Sequence, residues 1–322
     1  MKATVIRSSR NLFTVTTDEI NEIECRIKGK VLKSTLDYYN PIAPGDVVDI
    51  EDGLIVGLED RKNVFARFNQ KGQAPQLLAA NVDLVLCVSS LVSPPFRPRF
   101  IDRVLLQADA ANIKAVIICN KSDLVEDESA INADSELLDT EERLSDFQRI
   151  GFTVLRISAA TGQGMDDFKR LIAGKFSVLV GQSGVGKSSI INALTPSLNI
   201  KTGAVNEKFN RGNHTTTQAA LLCVPLSDPA NALAGNTRII DTPGVRRFAP
   251  AGILPDEVIL YMREFAPLAG KCSYGLSCSH ETEPGCKIME AVAAGEIHED
   301  RYDSFLRIRD DLSDKRAYHD ND

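Results

Sequence analysis

A glycine-rich loop at residues 181–188, Gly-Gln-Ser-Gly-Val-Gly-Lys-Ser, could hold the phosphates of a nucleotide. Its glycines let the backbone N–H groups point at phosphate oxygens, and the helix that follows adds the partial positive charge of its N-terminus. Lys187 is predicted to neutralise the β- and γ-phosphates, and the Ser188 hydroxyl to bind Mg²⁺. The predicted nucleotide contacts here are Gly181, Gln182, Ser183, Gly184, Val185, Gly186, Lys187, Ser188 and Ser189. The loop alone does not distinguish ATP from GTP.

A second motif, Asn-Lys-Ser-Asp at residues 120–123, would select the base. The carboxylate of Asp123 can accept hydrogen bonds from N1–H and the N2 amino group of guanine, whereas adenine offers no such pair of donors. Asn120 is expected to tie this loop to the phosphate loop, and the stem of Lys121 to pack on the base. Read alone, the tetrapeptide could be a turn that caps a helix. In a chain with a phosphate loop it indicates guanine recognition by Asn120, Lys121, Ser122 and Asp123, with Ser158 and Ala159 beside the guanine O6.

A third motif, Asp-Thr-Pro-Gly at residues 241–244, follows a predicted strand. Asp241 is expected to hold Mg²⁺ through water, and the Gly244 N–H to contact the γ-phosphate. Between the phosphate loop and this motif, residues 212–217 read Gly-Asn-His-Thr-Thr-Thr and are predicted to form the first switch. Thr216 is the favoured Mg²⁺ ligand there, although a loop with Gly and Thr that binds nothing is the alternative.

Position 245 lacks a residue that hydrolysis normally uses. Ras-like proteins place a glutamine just after the Asp-x-x-Gly motif to orient the attacking water. Val245 cannot do this, and His214 is the best internal candidate, although a surface histidine without a role fits the sequence equally well. The predicted catalytic set is therefore Lys187, Ser188, Asp241 and Gly244, with His214 and Thr216 as candidates. Slow hydrolysis by the protein alone, raised by a partner, is the expectation.

The order of these motifs is unusual. An ordinary GTPase has its phosphate loop first and its base-reading motif near the end, whereas here residues 120–123 precede residues 181–188. The order predicts a circularly permuted GTPase domain. Such a domain has new termini, and this chain attaches further sequence to both of them.

A cluster of sulfur and nitrogen ligands follows the third motif. Cys272, Cys278, His280 and Cys286 give the spacing C-x5-C-x-H-x5-C, and three thiolates with one imidazole form a closed tetrahedral zinc set. The absence of an open coordination position favours a structural rather than a catalytic ion. The remaining cysteines, Cys25, Cys87, Cys119 and Cys223, lie singly beside apolar stretches and are predicted to be inert core residues.

The chain divides into three predicted units. Strand-like runs at 4–6, 12–15, 25–27, 47–50 and 54–56 favour a small β-barrel over residues 1–68, either OB-like or SH3-like. Residues 69–75 are interpreted as a linker. Alternating strands and helices over 76–252 predict a mostly parallel α/β sheet, and residues 253–322 predict a mostly helical zinc-binding domain with helices at 255–265, 288–294 and 301–312.

Composition limits the function classes. The 322 residues carry a formal net charge of −7, so RNA binding cannot be inferred from overall charge. No signal-peptide core and no apolar run of about 18 residues is present, which predicts a cytoplasmic protein without a membrane partner. The expected ligands are GTP or GDP with Mg²⁺ and a structural Zn²⁺, and a monomer is expected.

These residues together resemble the RsgA (YjeQ) family of circularly permuted GTPases that depend on the small ribosomal subunit. The resemblance covers essentially the whole chain, from the barrel through the permuted motifs to the Cys/His cluster. It implies an OB fold at the N-terminus and a C-terminal zinc domain. It also implies a role in late maturation of the small (30S) subunit, binding to 16S rRNA, stimulation of GTP hydrolysis by that subunit, and release on hydrolysis.

One departure concerns the barrel. Residues 1–68 contain 10 Lys/Arg and 11 Asp/Glu, so an RNA contact there needs a one-sided arrangement. Arg26, Lys28 and Lys30, with Lys33 nearby, could place their charges on one strand face, or they could form an ordinary solvated strand. A second function class stays open, namely an RNA-binding module that uses GTP as a structural ligand and hydrolyses it incidentally.

Overall fold

The N-terminal region is a closed five-stranded barrel, as predicted. The computed structural model describes residues 1–9, 12–17, 21–29, 38–125, 135–195, 219–226, 236–245 and 247–319. The barrel consists of β1 (Lys2–Ser9), β2 (Leu12–Thr16), β3 (Glu22–Ile27), β4 (Val47–Glu51) and β5 (Leu54–Leu58). The strands pair in the order β1-β2-β3-β5-β4, β1–β4 pairing closes the barrel, and only β3 and β5 run parallel. Alternate residues such as Val5, Phe13 and Val48 fill its interior.

The predicted linker at 69–75 is wrong, because those residues belong to a β-hairpin. The strands β6 (Val64–Asn69) and β7 (Ala74–Ala80) pair antiparallel, with Asn69 opposite Ala74. The polar, glycine-containing stretch is the turn of this hairpin. Phe65 and Leu78 pack into the core of the central sheet, so the hairpin is continuous with the central unit.

The central unit is a six-stranded α/β sheet. Its strands are β8 (Leu84–Ser90), β9 (Lys114–Asn120), β10 (Thr153–Arg156), β11 (Phe176–Gly181), β12 (Ala220–Val224) and β13 (Thr237–Asp241). The spatial order is β10-β9-β8-β11-β13-β12, and every neighbouring pair is parallel except β12–β13. A single pairing, Arg7 with Ala220, joins β12 to the barrel.

Helices cover both faces of this sheet. On one face lie α1 (Pro98–Ala110) and α2 (Ser135–Arg149), and on the other lie α3 (Met165–Ile172) and α4 (Lys187–Leu194). Because both faces are covered, β8 is buried along its whole length and reads as a continuous apolar run. Cys25, Cys87 and Cys119 are buried as predicted, but Cys223 on β12 is exposed.

The C-terminal region is only partly helical. It contains 3-10 helices at Pro255–Tyr261, Ala266–Leu268 and Gly275–Ser277, followed by α5 (Lys287–Ala293) and α6 (Glu299–His319). The predicted helix over 255–265 is a 3-10 helix that ends at Tyr261. Phe265 stacks on Phe305 with ring centroids 4.9 Å apart in the core of this region.

A buried ionic network fastens the C-terminal region to the central unit. Asp102 of α1 accepts a hydrogen bond from Arg301 of α6 at 2.7 Å and from Arg143 of α2 at 3.5 Å. Arg301 also donates to Glu264 at 2.6 Å. Although burial disfavours its charge, the two carboxylates raise the pKa of Arg301.

Within the described residues, no helix combines the length and apolar character that a membrane crossing requires.

Candidate nucleotide site and metal centre

The phosphate loop leaves the middle of the sheet at Gly181 and enters α4 at Lys187. The Lys187 ammonium donates to the carbonyl oxygens of Gly181 at 2.9 Å and Gln182 at 3.1 Å, so it lies inside the loop. Gly186 has a φ of 93°, and a Cβ there would lie 2.2 Å from the Asn120 Nδ2 atom. Only glycine fits at this position, because both the backbone angle and the space exclude a side chain.

Asn120 connects three of the predicted segments. Its side chain is buried, its Nδ2 donates to the Val185 carbonyl at 2.9 Å, and its Oδ1 accepts from the Ala159 N–H at 3.1 Å. The parallel strands β9 and β11 bring these loops to the same edge of the sheet. The structure therefore places residues 120–123, 158–159 and 181–188 side by side, as the sequence predicts.

The base-reading loop is held in place on several sides. Lys121 has a left-handed φ of 64°, and its ammonium donates to the Ser93 carbonyl at 2.5 Å. The Ser122 N–H donates to the Ile157 carbonyl at 3.1 Å, and its hydroxyl to Gln163 Oε1 at 3.2 Å. Ser158 is buried, and its hydroxyl accepts from the Thr161 N–H at 3.1 Å.

Asp123 presents an unsatisfied acceptor. Its Oδ1 atom is buried and lacks a hydrogen-bond partner among the residues that the structure describes. A buried carboxylate oxygen in this state costs free energy, since it has lost its water without gaining a donor. Two N–H donors on the edge of a guanine would satisfy it.

Asp241 lies at the carboxyl end of β13, close enough to Lys187 for their charges to interact. Burial raises the pKa of Asp241 to about 6, and attraction to Lys187 acts in the opposite direction. Burial lowers the pKa of Lys187, and Asp241 partly offsets this. The Asp241 Oδ1 atom is also buried without a hydrogen-bond partner within the described residues. The Asp241 carboxylate and the hydroxyl of the half-buried Ser188 form a set of oxygen donors suited to a hydrated Mg²⁺.

Gly244 packs against the phosphate loop. A Cβ on Gly244 would lie 3.0 Å from Ser183 Cα and 3.3 Å from the Lys187 ammonium. The Val245 N–H donates to the Gly181 carbonyl at 3.3 Å, while the Val245 side chain is buried in the same core as Phe248. The Val245 side chain therefore cannot orient an attacking water. The first-switch candidates His214 and Thr216 lie outside the described residues.

Two contacts of the base-reading loop had no sequence signal. The Ser93 carbonyl is a backbone acceptor, and Gln163 lies in an exposed turn after β10. Neither belongs to a motif, and a backbone contact leaves no residue-type pattern to read.

The four predicted metal ligands converge in the C-terminal region. The ligand atoms of Cys272, Cys278, His280 and Cys286 all lie within 4.8 Å of one another, and all four residues are buried. Two thiolates on a tetrahedral zinc lie about 3.8 Å apart, and a thiolate and an imidazole nitrogen about 3.5 Å apart. The Cys272 and Cys286 Sγ atoms are 3.8 Å apart, and the His280 Nδ1 lies 3.5 and 3.4 Å from them. The donor set therefore fits one tetrahedral zinc ion.

Helix α6 and the start of α5 support this cluster. The Lys287 N–H donates to the Cys272 sulfur at 3.3 Å, and the Tyr302 hydroxyl donates to the His280 carbonyl at 2.6 Å. Arg309 donates to the Ser279 carbonyl and to Glu281. Burial, with a contribution from Arg309, lowers the pKa of His280, which favours the neutral imidazole that a metal requires.

The fold and the nucleotide site together define a circularly permuted GTPase. The model of the RsgA GTPase family matches residues 58–250, which is more than half of the chain. The chain therefore belongs to the RsgA GTPase family.

Relatives and solved structures agree with this assignment. A small ribosomal subunit biogenesis GTPase RsgA from Flavobacterium johnsoniae is 35% identical over 96% of this chain and 92% of its own length. A protein of the same name from Bacteroides fragilis is 34% identical over 97% of each chain. The crystal structure of YjeQ from Thermotoga maritima matches with a TM-score of 0.69 at 30% identity, covering 97% of this chain and 98% of that one. YloQ, a circularly permuted GTPase, has a TM-score of 0.65 at 24% identity, covers 98% and 95%, and shows the fold alone.

Proposed function

We propose that this protein is a GTP-hydrolysing factor in late maturation of the small (30S) ribosomal subunit. The observation that carries the chemistry is a pair of buried carboxylate oxygens, on Asp123 and Asp241 at one edge of the sheet, that have no hydrogen-bond partner among the described residues. One suits the donor edge of guanine and the other a hydrated Mg²⁺. The assignment to the small subunit rests on the relatives, whose name states that role.

The nucleotide site has two ends in this proposal. Lys187 and the loop amides of 182–189 hold the phosphates, and Ser188 with Thr216 holds Mg²⁺, which neutralises charge on the phosphate oxygens when bound. Asp241 reaches Mg²⁺ through water, and the Gly244 N–H contacts the γ-phosphate. Asn120, Lys121, Ser122 and Asp123, with Ser158 and Ala159, bind the base. His214 is the internal candidate for orienting the attacking water.

The metal centre is proposed to hold a structural zinc ion on Cys272, Cys278, His280 and Cys286. All four ligand positions are filled by the protein, so the ion supplies folding free energy and no reaction centre. The separations between the ligand atoms, which match a tetrahedral zinc, support this choice.

The partner is proposed to be the small subunit with its 16S rRNA, docked through the barrel and the zinc-binding region. The chain is organised as an N-terminal barrel, a central GTPase unit that includes the hairpin of β6 and β7, and a zinc-binding region at 253–322. It acts as a cytoplasmic monomer without a membrane partner. GTP orders the switches and favours docking, and hydrolysis releases the protein.

The site assignment is tested with the purified protein and two variants, Lys187→Ala and Asp241→Ala. We expect the wild type to hydrolyse GTP but not ATP, with at least about a hundredfold loss in each variant. Lys187→Ala removes a positive charge from the phosphates, and Asp241→Ala removes a carboxylate that helps to hold Mg²⁺. Lys169→Ala is the matched control, since this lysine pairs with Asp166 on the exposed face of α3. Undiminished hydrolysis by Lys187→Ala would contradict the assignment.

A GTP-dependent RNA-binding module is the second candidate, and the burial of Val245 favours it. With no glutamine at this position, hydrolysis could be incidental to binding. Single-turnover hydrolysis on the small subunit separates the two functions. Acceleration supports the maturation GTPase, and tight binding without acceleration supports the module.

A further inference from the structure

A short loop beside the nucleotide site contacts both the base-reading motif and the phosphate loop. This loop, residues 90–95, begins at the end of β8, where Ser90 lies in register with Asn120 of β9. A Cβ on Gly184 would lie 3.7 Å from Pro94 Cδ, so the loop packs directly on the phosphate loop. Its carbonyl at Ser93 receives the Lys121 ammonium at 2.5 Å.

Ser90 determines where that carbonyl lies. The Ser90 hydroxyl donates to the Ser93 carbonyl at 3.1 Å and accepts from the Ser93 N–H at 3.2 Å, which closes the turn. Ser90 is fully buried, so its hydroxyl has no water to exchange with. The turn therefore presents the Ser93 carbonyl in one fixed position.

The fixed carbonyl in turn holds the Lys121 side chain beside the nucleotide site. A Cβ on Gly186 would lie 3.9 Å from Lys121 Cε, so the lysine stem runs along the phosphate loop. A free lysine side chain loses up to about 2 kcal/mol of rotamer entropy when it is immobilised. A lysine that is immobilised before the ligand arrives does not incur this cost on binding.

We propose that Ser90 is a positioning residue for guanine-nucleotide binding, acting through the Ser93 carbonyl to pre-organise Lys121. This inference rests on the proposed binding of guanine nucleotides at residues 120–123 and 181–188. It assigns to loop 90–95 a share of nucleotide affinity that none of the three motifs contains. The loop contributes to binding and not to the chemical step.

The test is a double-mutant cycle between Ser90→Ala and Lys121→Met. Ser90→Ala is expected to raise the dissociation constants of GDP and GTP about 2- to 10-fold, the range that one net hydrogen bond gives, with kcat at saturating GTP unchanged. In the Lys121→Met background the same change is expected to have no effect, because no ammonium remains to position. Ser90→Thr keeps the hydroxyl and is expected to restore wild-type binding.

Ser89→Ala is the matched control. Ser89 is the buried neighbour whose hydroxyl donates to the Ser90 carbonyl and not to Ser93, so this variant is expected to bind as the wild type does. An equal loss of affinity from Ser90→Ala in both backgrounds, or a loss accompanied by a lower melting temperature in all Ser90 variants, would overturn the inference. Failure of the wild type to bind guanine nucleotides would instead refute the proposed function.

Discussion

At the scale of single residues, two carboxylates indicate which ligand this protein binds. Asp123 and Asp241 each keep a buried oxygen that lacks a hydrogen-bond partner in the described part of the chain. Folding leaves few buried polar groups unsatisfied, because each costs about 1–3 kcal/mol. Both therefore point to groups that the ligand supplies.

Asp123 is predicted to determine base specificity. In Asp123→Asn one acceptor oxygen becomes an N–H₂ donor, which faces the N2 amino group of guanine unfavourably and matches a carbonyl at the same position. We expect GTP affinity to fall about 10- to 100-fold and affinity for xanthosine triphosphate to rise. Competition binding with both nucleotides measures this. The control Asp166→Asn alters an exposed carboxylate on α3 and should leave both affinities unchanged. Retention of GTP preference in Asp123→Asn would contradict the role.

Asp241 is predicted to make stability depend on pH. Its folded-state pKa of about 6 lies above its ordinary value of 3.8, so protonation favours the folded state. Its contribution to stability is therefore fully present below about pH 4 and is lost as pH rises through about 6, a change of up to about 3 kcal/mol. Denaturant unfolding of the nucleotide-free protein from pH 4 to 7 measures this, and Asp241→Asn should flatten the difference. An identical pH dependence of the unfolding free energy in the wild type and Asp241→Asn would contradict this role of Asp241.

Residue types identified the motifs, but not the contacts that hold them. The Asn-Lys-Ser-Asp tetrapeptide and the phosphate loop were readable because their side-chain types carry the chemistry. That Asn120 bonds the Val185 carbonyl and the Ala159 N–H was predicted only in outline. The contact from Lys121 to the Ser93 carbonyl was not predicted, because any residue type supplies a carbonyl.

At the scale of elements, the Cys/His cluster brings together the loops that precede α5. All four ligands come from loops or element ends, and no long helix or strand presents them. Removal of one ligand is expected to release the metal and destabilise this region by several kcal/mol.

One zinc per chain is the predicted metal content of the purified protein, and Cys278→Ala should lose it together with a marked fall in melting temperature. Cys223→Ser is the control, since this exposed cysteine on β12 lies outside the cluster. Metal analysis and thermal unfolding of both variants give the answer. A full complement of zinc in Cys278→Ala would exclude this residue as a ligand.

Arg247 links the segment after Gly244 to α6. It donates to both carboxylate oxygens of Asp311 at 2.9 Å, and Arg103 of α1 donates to the same carboxylate at 2.7 Å. Although partial burial acts against it, these hydrogen bonds hold the pKa of Asp311 below its usual value. We expect amide hydrogen exchange across 272–286 to differ between GDP and a non-hydrolysable GTP analogue.

Arg247→Ala should abolish that difference, because it removes the link between the two regions. Arg307→Ala should preserve it, since Arg307 pairs with Asp303 on the same helix. Exchange that is identical with both nucleotides in the wild type would rule out transmission along this path.

Element boundaries were predicted where periodicity is strong and missed at a turn and at a 3-10 helix. The buried strands β8, β9 and β11 read as apolar runs and were found as predicted. The polar stretch 69–75 predicts a linker, whereas it contains the turn of the hairpin 64–80, whose apolar residues pack on the central core. The segment 255–265 has helical spacing, but it forms a 3-10 helix that ends at Tyr261.

At the scale of the whole molecule, the permuted motif order has a simple spatial counterpart. β11, the fourth of the six strands along the chain, carries the phosphate loop in the middle of the sheet. The alternation of strands and helices predicted a mostly parallel sheet with its ligands at the carboxyl ends of the strands. The position of β11 within the sheet was not predicted. How the barrel region packs against the rest of the chain was not predictable from the sequence. It depends on contacts such as Asn40 with both the N–H and the carbonyl of Leu77, which join distant segments through no motif.

The most direct test of the central claim is single-turnover GTP hydrolysis by the purified protein with small ribosomal subunits, large subunits or neither. Val245 leaves the site without its usual water-orienting side chain, so slow hydrolysis by the protein alone is expected. Small subunits should accelerate hydrolysis of GTP at least about a hundredfold, while large subunits, or ATP in place of GTP, should give no acceleration. Equal rates with and without small subunits, at concentrations where the protein is bound to them, would contradict the account.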